Sequence, residues 1–499
     1  MFFLENREIV VNFVAMNEKK NIIKSLAIDV NDPKISDFYR DVLDLLPYEP
    51  NDGQVEAFAA FSHFLIYGDE RSVFMLNGYA GTGKTSLMGA VVQVLSRRGV
   101  KVVLMAPTGR AAQVLSEYSH RQAFTIHRKI YRQDGYLSEG FGLAENKHTN
   151  TVFIVDEASM IANGSAEGAI FGTGRLLDDL VQYVYNGLGC KLVLMGDNAQ
   201  LPPVGQQESP ALNAMVMQGY GLTVYNVTLS QIARQAAGSG ILLNATLVRN
   251  ILTCDALVPP RLQLDGYDDV KAITGEFLLE TLSDAYDRDG IDETIIITRS
   301  NKRATLYNGG VRNTILYREE ELTTGDMLLV AKNNYYWSKD YDNIDFIANG
   351  DVMRVKRVWG EVEQVYGLRF ANVTVELPDH DNVEMDVKII VDSLLSDTPS
   401  ITVAQSERLY TEVLNECTGN KRERYRLMKE HAYFNALQVK FAYAVTCHKA
   451  QGGQWKNVFV DMGSIMPDAL GTIDFLRWLY TAITRARNKV YLINCPLEH

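Results

Sequence analysis

Val73-Phe74-Met75-Leu76-Asn77-Gly78-Tyr79-Ala80-Gly81-Thr82-Gly83-Lys84-Thr85-Ser86-Leu87 is the stretch that decides the fold. It opens on an apolar run, and Leu87 to Leu95 carries helical spacing, so strand, loop and helix follow in order. The loop fits G-x-x-x-x-G-K-[ST]: backbone N–H groups wrap phosphates, the Lys reaches the outer oxygens and the Thr hydroxyl binds Mg²⁺. Gly78, Tyr79, Ala80, Gly81, Thr82, Gly83, Lys84, Thr85 and Ser86 are therefore the expected ATP-binding residues, with Thr85 also a metal ligand.

The same alternation continues outward. Val102 to Met105, Val152 to Val155 and Leu192 to Met195 are short apolar runs with polar residues directly after each. Buried parallel strands have that look, with their chemistry at the carboxyl ends. Asp156-Glu157 closes the second run, placing one carboxylate to hold Mg²⁺ and the next to polarise an attacking water. Gly196-Asp197-Asn198-Ala199-Gln200-Leu201-Pro202-Pro203-Val204 closes the third, where Gln200 can sense a γ-phosphate while the prolines stiffen the connection.

A second α/β region is expected to begin near Val224, to include Thr294 to Ile297, and to resume at Val439 to Val445, Val458 to Asp461 and Val490 to Ile493. The gap from about Thr324 to Leu437 holds strand-like runs such as Asp351 to Val358 and Val373 to Leu377, and reads as a β-rich insertion. Residues 1–50 carry no motif, although Ile35 to Leu46 has helical spacing before Pro47.

Composition narrows the class. The chain has 499 residues, with 49 Lys and Arg against 61 Asp and Glu, a net charge of −12. Any nucleic-acid contact must then come from a local groove, and a globally basic coat is excluded. The 46% hydrophobic content is that of an ordinary globular chain of about three domains. Cys190, Cys254, Cys417, Cys447 and Cys495 form an odd set without metal-ligand spacing, so neither a disulfide nor a structural zinc is expected. No stretch approaches the roughly 18 apolar residues of a membrane helix, and a cytoplasmic protein without membrane contact is the expectation.

With these segments in this order, the sequence resembles superfamily 1 helicases, and within them the RecD- and Dda-like 5′-to-3′ group, from about Gln54 to Ile493. The resemblance implies an α/β fold of two RecA-like P-loop cores with a small hairpin insertion (1B) and a β-rich, SH3-like insertion (2B). It divides the chain into an N-terminal extension of unknown role (1–50), domain 1A (51–222) with the 1B hairpin at about 129–150, and a first part of 2A (223–323). Domain 2B (324–437) and the rest of 2A (438–499) follow.

Further residues take roles from the resemblance alone. Gln54 stands where the family reads the adenine edge. Pro107, Thr108, Gly109 and Arg110, with Thr125 and His127, resemble the motif Ia region that contacts single-stranded DNA. Arg234 and Arg485 resemble the motif IV and VI arginines, which act as arginine fingers on the γ-phosphate. Thr446-Cys447-His448-Lys449-Ala450-Gln451-Gly452 resembles motif V: Thr446, His448 and Lys449 would meet DNA phosphates, while Gln451 and Gly452 lie near the nucleotide. In the hairpin, Tyr136 or Phe141 would stack on the terminal base pair as a strand-separation pin.

The implied activity is ATP hydrolysis, assigned to Lys84, Glu157, Gln200, Arg234 and Arg485, driving movement along single-stranded DNA and opening of duplex junctions, with ATP and Mg²⁺ as cofactors. A motor on RNA or RNA–DNA hybrids shares every one of these residues, and an ATP-switched subunit of a larger repair complex stays open beside it. Repair or replication proteins are the expected partners. The basic run Lys421 to Arg426 is expected to be a solvated helical face.

Overall fold

The computed structural model of the chain describes residues 29, 32–46, 48–133, 141–164, 171–231, 238–254, 256–341, 344, 346–463 and 465–497. Residues 1–107 and 111–242 form one compact unit, and residues 108–110 and 243–499 form another.

The strands of the first unit are β1 (Ser72–Gly78), β2 (Lys101–Ala106), β3 (Ala123–Thr125), β4 (Tyr131–Gln133), β5 (Phe141–Leu143), β6 (Thr151–Val155), β7 (Lys191–Gly196) and β8 (Thr223–Leu229). Six of them make a parallel sheet in the order β3-β2-β6-β7-β1-β8. Every residue of β1 is buried, because apolar layers cover both faces and the pleat sends alternate side chains to each. Phe74 and Leu76 join Ile154, Val193 and Met195 in one layer. Val73 and Met75 join Phe153, Val155, Leu192 and Leu194 in the other.

Two differences from the sequence reading fall in this unit. The described part of the N-terminal extension is a core element: the helix Pro33–Leu43 sends Ile35, Phe38 and Val42 into the layer that also takes Phe58, Phe61 and Phe64 from the helix Asp52–Tyr67. The strand at Val224 belongs to the first sheet and not to a second region, since β8 pairs in parallel with β1 from Ser72↔Thr223 to Gly78↔Leu229. Its alternating burial marks an edge strand, and alternation alone does not say which sheet the edge closes. β4 and β5 form a two-stranded antiparallel ribbon at the expected hairpin, whose residues 134–140 lie outside the described residues.

The second unit contributes β9 (Val270–Ile273), β10 (Thr294–Thr298), β11 (Met327–Val330), β12 (Val352–Val365), β13 (Leu368–Leu377), β14 (Val383–Ile390), β15 (Leu437–Phe441), β16 (Ala444–Thr446), β17 (Trp455–Asp461) and β18 (Ala486–Ile493). A parallel sheet runs β16-β10-β17-β18-β9, and β11 to β15 close into a barrel. The run Val439 to Val445, expected as one core strand, serves both: β15 pairs with β11 in the barrel, and β16 pairs with β10 in the core. The boundary set at 437/438 therefore moves past Phe441. At the junction the Ala442 N–H donates to the Met327 carbonyl at 2.9 Å, and the Tyr443 hydroxyl donates to the Asp326 carboxylate at 2.8 Å. One continuous apolar run conceals the change of sheet, because both destinations bury it.

Asp326 anchors the start of the barrel. It is fully buried, and Arg312 donates to its carboxylate at 3.0 Å while Arg318 donates at 2.6 Å. Two helices, Val403–Glu416 and Lys421–Lys429, are inserted between β14 and β15. The basic run lies on the second, with Lys421, Arg422 and Arg426 exposed as expected of a solvated face. Among the described residues no helix is long and apolar enough to cross a membrane.

Candidate functional site

The site grows from sheet order. β6, β7 and β1 are neighbours, and their carboxyl ends are level: Val155 pairs with Leu194, and Asn77 pairs with Gly196. Adjacent strands lie about 4.8 Å apart. The phosphate loop after β1 and Asp156-Glu157 after β6 therefore stand about 10 Å apart, with the Gln200 loop between them.

The loop after β1 feeds the helix Lys84–Arg97, whose N-cap is Gly83 at φ 76°. A Cβ on Gly83 would stand 2.7 Å from Gln54 Nε2 and 3.0 Å from the Tyr48 hydroxyl, so glycine is required by both conformation and space. The buried Thr82 hydroxyl donates to the Tyr79 carbonyl at 2.8 Å. Lys84 Nζ donates to the Gly78 carbonyl at 3.0 Å, curling the lysine over its own loop. The helix start leaves backbone N–H groups facing the loop, as phosphate binding requires. Laterally, Asn198 Nδ2 donates to Asn77 Oδ1 at 3.1 Å and Asn77 Nδ2 to Asn226 Oδ1 at 3.0 Å, an amide ladder from the loop after β7 across the end of β1 to the middle of β8.

Asp156 is buried, and burial pushes its carboxyl up; the Lys84 ammonium opposes this and the Glu157 carboxylate adds to it. Glu157 occupies the left-handed region at φ 51°, and its N–H donates to Asp156 Oδ1 at 2.8 Å. A non-glycine residue held there stores strain of about 1–3 kcal/mol, a common mark of functional positions. Glu157 Oε2 and Gln200 Oε1 are both buried without a hydrogen-bond partner among the described residues. Two buried acceptors left open beside a phosphate loop suit a water and a polar ligand.

In the second unit Arg485 is 3% exposed. Its guanidinium donates to the Thr481 carbonyl at 3.1 Å, the Gly453 carbonyl at 3.4 Å and Thr484 Oγ1 at 3.3 Å, all neutral oxygens. A buried cation held this way favours an arriving anion. Gln451 is buried and Gly452 sits at φ 75°, forming the turn after the short helix Cys447–Ala450. Thr446 caps that helix, His448 is exposed and Lys449 is half-buried.

Other expected residues fall elsewhere. Gln54 does not face open space: it is 1% exposed, its Oε1 accepts the Asn51 N–H at 3.0 Å and its Nε2 donates to the Thr82 carbonyl at 3.0 Å. Its amide braces the phosphate loop from behind. His127 packs against Phe171 at 4.9 Å and Tyr131 at 5.7 Å, and burial pushes it down to about 4, so it is neutral and offers no charge to a phosphate. Phe141 joins this aromatic group, 5.0 Å from Phe171, at the base of the ribbon. Pro107 and Thr108 follow β2, Gly109 and Arg110 open the helix Gly109–Ser119, and Thr125 ends β3, its hydroxyl accepting the Arg128 N–H at 3.2 Å. Arg234 and Tyr136 lie outside the described residues.

Sequence reasoning missed Tyr48. Its hydroxyl is buried beside Gly83 without a hydrogen-bond partner among the described residues, and no motif marks it. It also missed the Asn77–Asn198–Asn226 ladder, whose members are ordinary asparagines until the sheet brings them together.

A phosphate loop, a strand-end acid pair and a glutamine on three neighbouring parallel strands define a P-loop nucleoside triphosphatase. Two protein families match the chain, the AAA domain over residues 49–250 and the UvrD-like helicase C-terminal domain over residues 441–493. The ATP-dependent DNA helicase dda of Enterobacteria phage T4 is 26% identical, over 84% of this chain and 93% of its own. The ATP-dependent RecD2 DNA helicase of Deinococcus radiodurans is 25% identical over 84% of this chain, which spans only 46% of that longer protein. A solved structure of two coordinating Pif1 helicases at forked double-stranded DNA superposes with a TM-score of 0.46 at 17% identity, covering 89% of this chain and 92% of that one. The chain is similar to the superfamily 1 helicases of the RecD/Dda-like group and is an ATP-hydrolysing enzyme.

Proposed function

We propose that this protein is an ATP-dependent DNA helicase that binds single-stranded DNA, moves along it 5′-to-3′ and opens duplex junctions. The observation that carries the reading is the pair of open buried acceptors, Glu157 Oε2 and Gln200 Oε1, level with the phosphate loop. The polarity rests on the group that the chain resembles.

The residues fit Mg-ATP. Thr85 and Asp156 are the ligands offered to Mg²⁺, which when bound neutralises charge on the β- and γ-phosphate oxygens. Lys84 exchanges the Gly78 carbonyl for phosphate oxygens. Glu157 orients the attacking water and accepts its proton, held in place by the bond from its own N–H to Asp156. Gln200 reports the γ-phosphate through its free amide oxygen by way of that water. Arg485 and Arg234 are the arginines assigned to stabilise charge on the departing phosphoryl group. Lys449, Thr446 and the residues after β2 hold the DNA backbone, so ATP turnover alternates grips along a strand.

The test is steady-state ATP hydrolysis with a single-stranded DNA oligomer, an RNA oligomer of equal length, or neither. Strong stimulation by DNA with little by RNA is expected, followed by unwinding of 5′-tailed over 3′-tailed duplexes. Stimulation by RNA alone moves the substrate to RNA; stimulation by neither makes the chain a switch subunit.

A further inference from the structure

Lys449 sits in the helix Cys447–Ala450, immediately after β16, while the barrel strands β11 to β15 all precede it in sequence. A hydrogen bond joins the two. The Lys449 ammonium donates to Asn349 Oδ1, in the turn before β12 and 100 residues away in sequence.

That turn is braced from several sides. Gly350 adopts φ 101°, its N–H donates to the Val330 carbonyl at 2.9 Å, and the Val330 N–H returns a bond to the Asp351 carbonyl at 2.9 Å. Asp351 is 3% exposed; its carboxylate takes the Ala348 N–H at 2.7 Å and faces His380 Nε2 at 3.1 Å. The Asn349 N–H donates to Asn333 Oδ1 at 2.6 Å, which fixes the residue whose side chain reaches the lysine.

The chemistry of the contact is its informative feature. An ammonium has three donors and an amide oxygen satisfies one of them, so two stay available. A carboxylate at the same place would form an ion pair and cancel the charge. The amide orients Lys449 and leaves its charge for an incoming anion, while burial pushes the lysine down to about 8 and the Asp351 carboxylate opposes that shift. The buried Asp351, engaged by Ala348 and His380, acts at a distance without capturing the ammonium.

We propose that Asn349 is a positioning residue for nucleic-acid binding: the barrel turn aims Lys449 at a backbone phosphate through a neutral partner. The inference rests on Lys449 being a phosphate contact. It adds a task for the barrel, which becomes part of the grip through a residue outside the DNA motifs.

The test measures, on the full chain, the single-stranded DNA concentration giving half-maximal ATPase stimulation, across a series of salt concentrations. Lys449→Ala is expected to raise that concentration about tenfold and to reduce the salt slope by about 1, the loss of one phosphate contact. Asn349→Asp is expected to reproduce both effects, with the maximal rate at saturating DNA within about twofold of the parent. Asn349→Ala is expected to raise the concentration several-fold while keeping the slope, because the charge survives without its aim. In the Asn349→Asp, Lys449→Ala double variant the aspartate is expected to add nothing to the lysine loss. A clear Lys449→Ala effect beside an Asn349→Asp variant with parental concentration and slope overturns the positioning role. A Lys449→Ala variant with parental binding overturns the phosphate reading, and the positioning role with it.

Discussion

The Glu157 N–H donates to Asp156 Oδ1 at 2.8 Å, so two adjacent acids at one strand end are held to different tasks. The bond turns Glu157 into the left-handed region and leaves its Oε2 buried and open. Asp156, buried and facing Lys84, belongs to the charge balance of the phosphates; Glu157 is placed to handle a proton. Glu157→Gln keeps the shape and the backbone bond but cannot accept a proton. We expect ATP and DNA binding within about threefold of the parent and a hydrolysis rate lower by roughly 10²–10⁴. Equilibrium binding of a fluorescent nucleotide beside single-turnover hydrolysis checks both; loss of nucleotide binding would assign Glu157 a structural role.

Arg485 yields a prediction that separates catalysis from stability. Its guanidinium is buried against Thr481, Gly453 and Thr484 without a carboxylate in those contacts. Removing a buried charge that only neutral oxygens support costs little and relieves desolvation. Arg485→Ala is expected to lower the ATP hydrolysis rate by about 10³ or more. Its thermal midpoint should stay within about 4 °C of the parent, corresponding to no more than about 1 kcal/mol. A large fall in the midpoint would make Arg485 a structural residue.

How far the chain could be read beforehand depended on whether a signal was local. The phosphate loop, Asp156-Glu157 and Gln200 were legible because each ends an apolar run, and parallel strands must present those ends together. β8 was assigned to the wrong region because edge alternation carries no address. β15 and β16 were merged because burial in a barrel and burial in a core demand the same side chains. Gln54 and His127 were given tasks from position in a motif, and only packing shows that Gln54 also braces a loop and that the His127 ring meets Phe171 edge-on. Tyr48 was silent and nothing local tied Asn349 to Lys449, since each acts on a residue distant in sequence.

Asp326 offers a test of the barrel's attachment. It is fully buried, Arg312 and Arg318 both donate to it, and the Thr323 N–H adds a bond at 2.8 Å. Burial raises its carboxyl, but the Arg312 and Thr323 bonds prevail and hold it below the usual carboxylate range. Asp326→Ala would strand the buried Arg312, at a cost of about 3–5 kcal/mol. Urea unfolding should show a correspondingly lower midpoint, and double substitution with Arg312→Met should recover part of the loss. The pH dependence has a fixed sign: a depressed acid stabilises the fold above its unfolded value and loses that contribution as pH falls toward the folded one. The Asp326→Ala variant should therefore lose less stability than the parent on acidification below about pH 4.

Lys449 gives the opposite pH signature, in binding. Burial lowers it to about 8, against an ordinary lysine near 10.4, so it loses its charge two units before the exposed lysines do. Its contribution to phosphate binding is complete near pH 7 and disappears as pH rises through about 8. Affinity for single-stranded DNA, measured by fluorescence anisotropy at constant ionic strength, is expected to fall several-fold between pH 7 and 9. Lys449→Arg replaces the group with one that stays charged throughout this range, so its affinity should be flat over the same interval even if lower in absolute terms. A parent whose affinity is constant from pH 7 to 9 would show that the ammonium is either better solvated than its contacts imply or uninvolved in the grip. The Lys449→Ala binding curve separates these two cases, since only the first predicts a loss at pH 7.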